Sequence, residues 1–442
     1  MKKLFCIIIA AALLLPLAAC AGKGTEDADI SPDGTAAPGS TEAPENTEKP
    51  VYAHTGPDFD NRFGRGYSDF IETENAYYFK CYNANYLYYY DKLTGDSGVL
   101  CSKPECIHDS NVQNKSCDGY LYTFVKSISQ VGDRLYYVSA VDANNGNGTG
   151  IYAMALDGSD KEINAHIDLQ GIEGLTPSRY DYHRGMLYGW SQREVVKSGS
   201  PLTETRILGF DPETGEMHTL FYDESEVPVF QPSLFYYEDY VYFCIDTMTG
   251  TVNEETGEIT DSVGTLLVGR INIQTEVYEE VYFGSRDVGF GSYCRLWVES
   301  EDRIYIVPML SALYEDTCCV YLLSGGELST EYVFENPGAS YIADGAAVCI
   351  FPDERHAEIW GTDGIVIYNG IWTTDFEVEP GTQVHCSTIN SVYGDRDTLY
   401  VVYTVDAKSS KDRKHSDYCV VRYDLTRTVP EATLLMYVPY NR

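Results

Sequence analysis

One phrase recurs along this chain of 442 residues: a polar turn, an apolar residue, a tyrosine, then an apolar run. It reads Glu74-Asn75-Ala76-Tyr77, Asp133-Arg134-Leu135-Tyr136 and Arg184-Gly185-Met186-Leu187-Tyr188. It returns as Asp239-Tyr240-Val241-Tyr242, Asp302-Arg303-Ile304-Tyr305 and Asp397-Thr398-Leu399-Tyr400, and a degenerate copy, Asp344-Gly345-Ala346-Ala347-Val348, fills the widest gap. Seven copies at a period near 54 residues confine the chain to an array of like units. Each such unit buries its faces against its neighbours.

A second phrase follows the first within the units. Tyr90-Asp91-Lys92-Leu93-Thr94-Gly95 and Phe210-Asp211-Pro212-Glu213-Thr214-Gly215 are the clearest copies, with Leu156-Asp157-Gly158-Ser159 and Tyr423-Asp424-Leu425-Thr426 looser. An apolar residue, Asp and then Thr-Gly marks a strand end entering a tight turn. The spacing predicts an inner strand, the tyrosine strand, a hairpin to a third strand, the Asp turn and an outer strand. Four strands per period make one blade of a β-propeller. Thirty-eight tyrosines fit such a strand-rich chain. The expected fold is all-β, a propeller of seven four-stranded blades, with six or eight as the alternatives. Tyr67 to Thr73 would start the first blade and Ala432 to Tyr440 would supply the last outer strand.

Before the repeats, composition shifts twice. Met1-Lys2-Lys3 precedes an apolar run, Leu4 to Leu17, which ends in Leu17-Ala18-Ala19-Cys20. A basic start, an apolar stretch and small residues before a cut describe a secretory signal. An uncleaved anchor helix is the competing reading, but a span needs about 20 apolar residues, and Pro16 interrupts this run. From Ala21 to about Pro50, Ala, Gly, Ser, Thr, Pro, Asp and Glu dominate, and Ile30 is the one large aliphatic side chain. So little apolar surface does not offset the entropy of ordering. The expected organisation is a signal over 1–19, a disordered acidic tether over 20–50 and the propeller over 51–442.

With 31 basic and 67 acidic residues, the formal net charge is −36. Nucleic acids and anionic lipid surfaces bind through Lys and Arg, so this balance disfavours both as partners. It suits a solvated acidic surface, and secondarily a cationic partner or calcium.

The cysteine after the small residues makes the leader resemble a bacterial lipoprotein signal, a lipobox. That resemblance implies that Cys20 becomes the first mature residue, carries acyl chains and fixes the protein to the outer face of the cell membrane. The repeats are similar to those of TolB-like and YWTD-type β-propellers over about residues 65–442. Together with the lipobox and acidic linker they resemble propeller lipoproteins of gut-type Gram-positive bacteria. The YWTD signature itself is absent, Leu187-Tyr188-Gly189-Trp190 being the nearest match, and no Ser-x-Asp-x-Gly-x-x-Trp box is present. The resemblance implies binding or scaffolding and supplies no catalytic residues to carry over. No repeated Trp-docking glycines appear, and no cofactor is expected, a structural zinc being the one possibility.

The chain has 13 cysteines. Cys6 leaves with the signal and Cys20 is committed to lipid, so an odd number remains and complete intrachain pairing is excluded. Cys81, Cys244, Cys294, Cys349, Cys386 and Cys419 lie in or beside apolar runs, as small buried hydrophobes do. Cys318-Cys319 on a strand would point to opposite faces. Cys101, Cys106, His108 and Cys117 form the one compact constellation, just past the first Asp turn. Three thiolates and an imidazole match a tetrahedral zinc site in donor type, although His108 follows Cys106 closely. A disulfide from Cys101 or Cys106 to Cys117 is the leading reading, a metal the second and unlinked thiols the third. If a metal binds here, a structural role is favoured.

Other candidates weaken on inspection. Gly95-Asp96-Ser97-Gly98 lies in the blade turn without matching His and Asp motifs. Gly146-Asn147-Gly148-Thr149-Gly150 joins two strands and opens no helix, so it lacks the terminus that holds a phosphate. Glu254, Glu255, Glu258 and Asp261 form an acidic hairpin, and Lys408, Lys411, Arg413, Lys414 and His415 a basic one. Trp190, Trp297, Trp360 and Trp372 are candidates for core packing first and sugar stacking second. The insertions Cys101–Tyr120, Thr247–Gly264 and Asp406–Asp417 are the natural contact surfaces. The leading functional reading is a surface-tethered binding or scaffold module for a protein or glycan partner. The second is an extracellular lyase or hydrolase with its site in the central channel.

Overall fold

The structure is a computed structural model that describes residues 69–439, apart from 82–85, 109–113, 122–126, 141–148, 168–177, 198, 228, 253–258, 287–293, 309–317, 335–338, 353 and 406–416. The leader and Cys20, the acidic tether, Glu254, Glu255, Glu258 and the basic cluster Lys408 to His415 lie outside the described residues, as does the side chain of Asp261.

Seven antiparallel sheets, each taken in chain order, form a seven-bladed β-propeller. Blade one is β1 (Phe70–Glu72), β2 (Ala76–Lys80), β3 (Leu87–Asp91) and β4 (Ser97–Val99). Blade two is β5 (Ile128–Val131), β6 (Arg134–Ala140), β7 (Thr149–Ala155) and β8 (Glu162–Ile167). Blade three is β9 (Ser178–His183), β10 (Met186–Lys197), β11 (Ser200–Phe210) and β12 (Met217–Ser225). Blade four is β13 (Ser233–Tyr237), β14 (Tyr240–Val252), β15 (Ile259–Asn272) and β16 (Tyr278–Arg286). Blade five is β17 (Cys294–Ser300), β18 (Arg303–Pro308), β19 (Cys318–Ser324) and β20 (Glu327–Phe334). Blade six is β21 (Ala339–Ala343), β22 (Ala346–Phe351), β23 (His356–Gly361) and β24 (Val366–Ile371). Blade seven holds β25 (Asp375–Glu379), β26 (Thr382–Gly394), β27 (Thr398–Val405), β28 (Asp417–Asp424) and β29 (Glu431–Val438).

The recurring tyrosine sits on the second strand of its blade, or on β27, the third of five, in blade seven, where its amphipathic side chain does two jobs. The ring fills space between sheets and the hydroxyl reaches a polar partner. Tyrosines elsewhere in the blades do the same. Tyr78 donates to the Leu156 carbonyl at 2.9 Å, joining blades one and two. Tyr332 donates to the Gly361 carbonyl at 2.8 Å, joining blades five and six. Serines tie first strands together as well. Ser129 Oγ accepts the Tyr182 N–H at 3.1 Å and Ser233 Oγ the Leu296 N–H at 3.3 Å.

Blade seven differs from the expected four strands. The first residues of β26, Thr382 to His385, run beyond the blade and pair with β25, while Cys386 to Gly394 pair with β27. Blade four departs in a related way. The predicted insertion Thr247–Gly264 is largely a continuation of the β14–β15 hairpin, paired out to Val252 and Ile259.

The Asp turns explain the second phrase. Asp91 Oδ1 accepts the N–H groups of Leu93 and Thr94, both at 2.8 Å. Asp211 does the same for Glu213 and Thr214, and Asn272 for Gln274 and Thr275. Gly95 and Gly215 close their turns at φ 77° and 74°, a region closed to most side chains. Backbone N–H donors hold the Asp91 and Asp211 carboxyls below the ordinary range. A carboxyl with a lowered folded pKa stabilises above its unfolded value, about 4, and loses that contribution as pH falls through the folded value. Since Asn272 fills the same role uncharged, Asp91→Asn with Asp211→Asn should preserve the fold at neutral pH. It should also flatten the fall in urea midpoint between about pH 5 and pH 3.

Most of the cysteines and tryptophans singled out from the sequence resolve as core. Cys81, Cys244, Cys294, Cys349, Cys386 and Cys419 are buried. Cys318 is buried and Cys319 is not, as alternation along β19 requires. Trp190, Trp297 and Trp372 are buried, and Trp360 is half-buried with its Nε1 donating to Glu358 at 2.7 Å. The buried three have no face to offer a sugar.

Candidate metal centre

After β4 the chain leaves blade one, turns through residues 101–108, and returns through 114–121 to the edge of its own blade. Cys106 N–H bonds the Lys103 carbonyl at 3.1 Å, and Cys117 N–H the Asn114 carbonyl at 3.0 Å, so each stretch is a tight turn. The return is pinned by a bridge between Tyr86 and Tyr120 and by the Leu87 N–H on the Gly119 carbonyl at 2.8 Å. Gly119 is required there by close approach: a Cβ would stand 2.4 Å from the Leu100 carbonyl oxygen.

These turns bring Cys101, Cys106, His108 and Cys117 together, with one donor atom from each lying within 4.8 Å of all the others. The four residues anticipated from sequence therefore converge, and all three cysteines are unbridged thiols. Cys117 is buried and the other three are half-buried. Cys106 and Cys117 pack with Tyr86 and Tyr120 in the aromatic cluster of blade one, and the His108 ring meets Tyr86 edge-on at 6.2 Å.

The surroundings are polar and specific. Cys101 Sγ lies 3.9 Å from Asp118 Oδ2. Asn114 Nδ2 bonds Cys106 Sγ at 3.3 Å. Lys103 Nζ joins Asp118 Oδ1 and the Ser116 carbonyl, each at 2.6 Å. Lys161, between β7 and β8 of blade two, donates to the Tyr120 carbonyl at 2.5 Å. Burial alone would raise the Cys101 thiol. The contact with His108 and the backbone amides of Lys103 and Asp118 outweigh it and bring the thiol down to about 7. Burial raises Cys106 and pushes Cys117 up to about 12.

Sequence reasoning found the four donors because they share one short stretch. It missed Asn114, Gly119 and Lys161. The first two sit inside that stretch with no chemical label, and Lys161 is brought in by the neighbouring blade.

Other charged clusters pair among themselves. Glu204, 2% exposed on β11, receives Arg193 at 2.9 Å and Arg206 at 2.6 Å. Burial by itself would raise its carboxyl, but the two guanidiniums prevail and hold it low. Arg270 bridges Glu279 and Glu301 at 2.7 and 2.9 Å, and Arg303 holds Glu299 at 2.7 Å beside Tyr305. Replacing Glu204 with Ala leaves two partly buried guanidiniums without their acceptor. The expected cost is about 3 kcal/mol, read as a lowered urea midpoint at unchanged m-value.

No family model matches the chain, and no curated protein matches it. Among solved structures, it is similar to the polysaccharide lyase Uly1 at 11% identity and TM-score 0.46, covering 81% of this chain and 90% of that one. An acylaminoacyl peptidase from Pyrococcus horikoshii is similar at 13% identity and TM-score 0.40, covering 70% and 45%. The β-propeller domain of the trilobed protease from Pyrococcus furiosus is similar at 11% identity and TM-score 0.37, covering 72% and 97%. The chain spans about half the length of the acylaminoacyl peptidases it matches.

Proposed function

We propose that this protein is a lipid-anchored propeller that works outside the cytoplasm as a binding or scaffold module for a protein or glycan partner at the cell surface. The observation that carries the proposal is the lipobox Leu17-Ala18-Ala19-Cys20 at the end of an apolar run, followed by a polar acidic tether and then a closed seven-bladed ring. Lipid on Cys20 would hold the ring at the membrane, and the tether of about 30 residues would let it search the space above. The proposal draws the family likeness to propeller lipoproteins into the same picture. The net charge of −36 argues for a partner other than nucleic acid.

Support for binding over catalysis comes from the described side chains. Arg193, Arg206, Arg270 and Arg303 are each committed to carboxylates of the same ring. The contact surface then falls to the loops between strands, the usual site of recognition on a rigid scaffold.

The test uses the full chain in detergent micelles, applied to an array of wall and dietary glycans and cross-linked to surface proteins on cells that express it. Retention of one glycan class, unaltered by mass spectrometry, or reproducible cross-linking to one surface protein supports the proposal. Release of cleaved oligosaccharide would overturn it in favour of a lyase or hydrolase. Absence of both retention and cross-linking would also count against it.

A further inference from the structure

We infer that Cys101, Cys106, His108 and Cys117 form a closed, structural zinc site that clamps the loop between blades one and two. The inference is independent of the partner proposed above. It rests on geometry, on an unmet polar group and on charge.

In a tetrahedral site with Zn–S near 2.3 Å, neighbouring donors stand about 3.8 Å apart. The four donor atoms here all lie within 4.8 Å of one another, so drawing them onto a central ion takes about 1 Å of adjustment in a surface loop. All four positions are filled by protein, which leaves none for water or substrate. That is the mark of a structural rather than a catalytic zinc.

His108 Nε2 is buried and has no hydrogen-bond partner. A buried polar nitrogen left unmet is costly, and a metal ligand resolves it. The thiols are likewise arranged as metal ligands are. The backbone amides of Lys103 and Asp118 favour the Cys101 thiolate, and that of Gly119 favours the Cys117 thiolate. Cys106 takes one from Asn114 Nδ2 at 3.3 Å. Such outer donors orient thiolates and spread their charge. A disulfide between any two of the cysteines would use one pair and leave the third thiol and the imidazole unexplained.

Binding balances simply. Three thiols release three protons to solvent, neutral His108 gives a ring nitrogen, and the zinc centre carries a net charge of −1. Two ammonium groups stand by to offset it. Lys103 interacts electrostatically with Cys101 and Cys106, and Lys161 with Cys117 and Cys101. Lys161 belongs to blade two and holds the loop's Tyr120 carbonyl. The clamp therefore fastens a polar loop of blade one onto its neighbour, where the loop's own apolar content is small.

The test is metal analysis of the full chain purified under reducing conditions, followed by exchange with Co2+. One zinc per chain is expected, together with a cobalt spectrum whose charge-transfer and d–d bands report three thiolates in a tetrahedral field. Cys106→Ser with Cys117→Ser should abolish binding. His108→Cys should retain one metal per chain and shift the cobalt bands toward a four-thiolate pattern, so the inference stays testable even if the serine variant misfolds. Failure to take up Zn2+ or Co2+ by the reduced wild-type chain would overturn it. So would a Cys–Cys cross-link within this loop in protein isolated without reductant, or cobalt bands unmoved by His108→Cys.

Discussion

Trp372→Ala is expected to destabilise the ring by about 3–5 kcal/mol, among the largest losses any single side chain here should cause. Trp372 follows β24 on the crossing from blade six to blade seven. It is 1% exposed and stacks on Tyr423 with centroids 3.9 Å apart. Its Nε1 donates to the Tyr403 hydroxyl at 2.9 Å. That hydroxyl meets Tyr423's at 2.9 Å, and Tyr423 donates to the Thr373 carbonyl at 2.7 Å. Truncation therefore opens a cavity and breaks a buried polar chain together. Trp372→Phe keeps one ring on Tyr423 but loses the Tyr403 bond and part of the indole's packing, for about 2 kcal/mol. Urea midpoints of the two variants against wild type measure both values. Equal losses for Ala and Phe would mean that the hydrogen bond, not the packing, carries the site.

Phe70→Ala is expected to cost about 3–5 kcal/mol and to act where the ring closes. Among the described residues, blade one is built entirely from the N-terminal side and blade seven entirely from the C-terminal side. No described strand crosses between them, so side chains hold the seam. Phe70 is 1% exposed and lies 5.8 Å from Tyr393 and 4.8 Å from Tyr400 by ring centroids. Tyr400 reaches across to the Tyr77 hydroxyl at 3.2 Å and Glu72 Oε2 at 3.3 Å. Phe235, packed on Trp297 at 5.0 Å between blades four and five, is the matched internal site. There the chain itself joins the two blades. Both alanine variants should lose global stability. Only Phe70→Ala should speed amide exchange selectively in β1, β2, β26 and β27, because no connecting segment of chain holds blades one and seven together at the seam. Identical exchange patterns in the two variants would show that the seam is no weaker than any other interface.

Much of this architecture is written in the sequence because its rules are local. The tyrosine phrase sits on an interior strand of its blade because an amphipathic ring suits a surface buried between two sheets. The Asp phrase closes the outer hairpin because a carboxylate two residues before an N–H caps a turn. The convergence of Cys101, Cys106, His108 and Cys117 is legible for the same reason, since Cys101 to Cys117 is one loop. What was not legible depends on contacts between blades. Lys161 approaches Tyr120, and Gly158 approaches Leu100 and Cys101. Neither follows from spacing, because the offset between neighbouring blades is set by side-chain packing. The extra strand β25 escaped for a related reason. A 13-residue β26 reads as one strand, and only the structure shows its two halves pairing with different partners. The role of Glu204 was hidden until register placed Arg193 directly opposite it.

The proposed tethering of the ring to the outer face of the membrane through Cys20 can be read from the mass of the mature N-terminal peptide in membranes of cells that make the protein. The prediction is a chain beginning at Cys20 with acyl chains attached, found in the membrane fraction and shifted to the soluble fraction by Cys20→Ser. An unmodified N-terminus, or a Cys20→Ser protein that stays with the membrane, would contradict it.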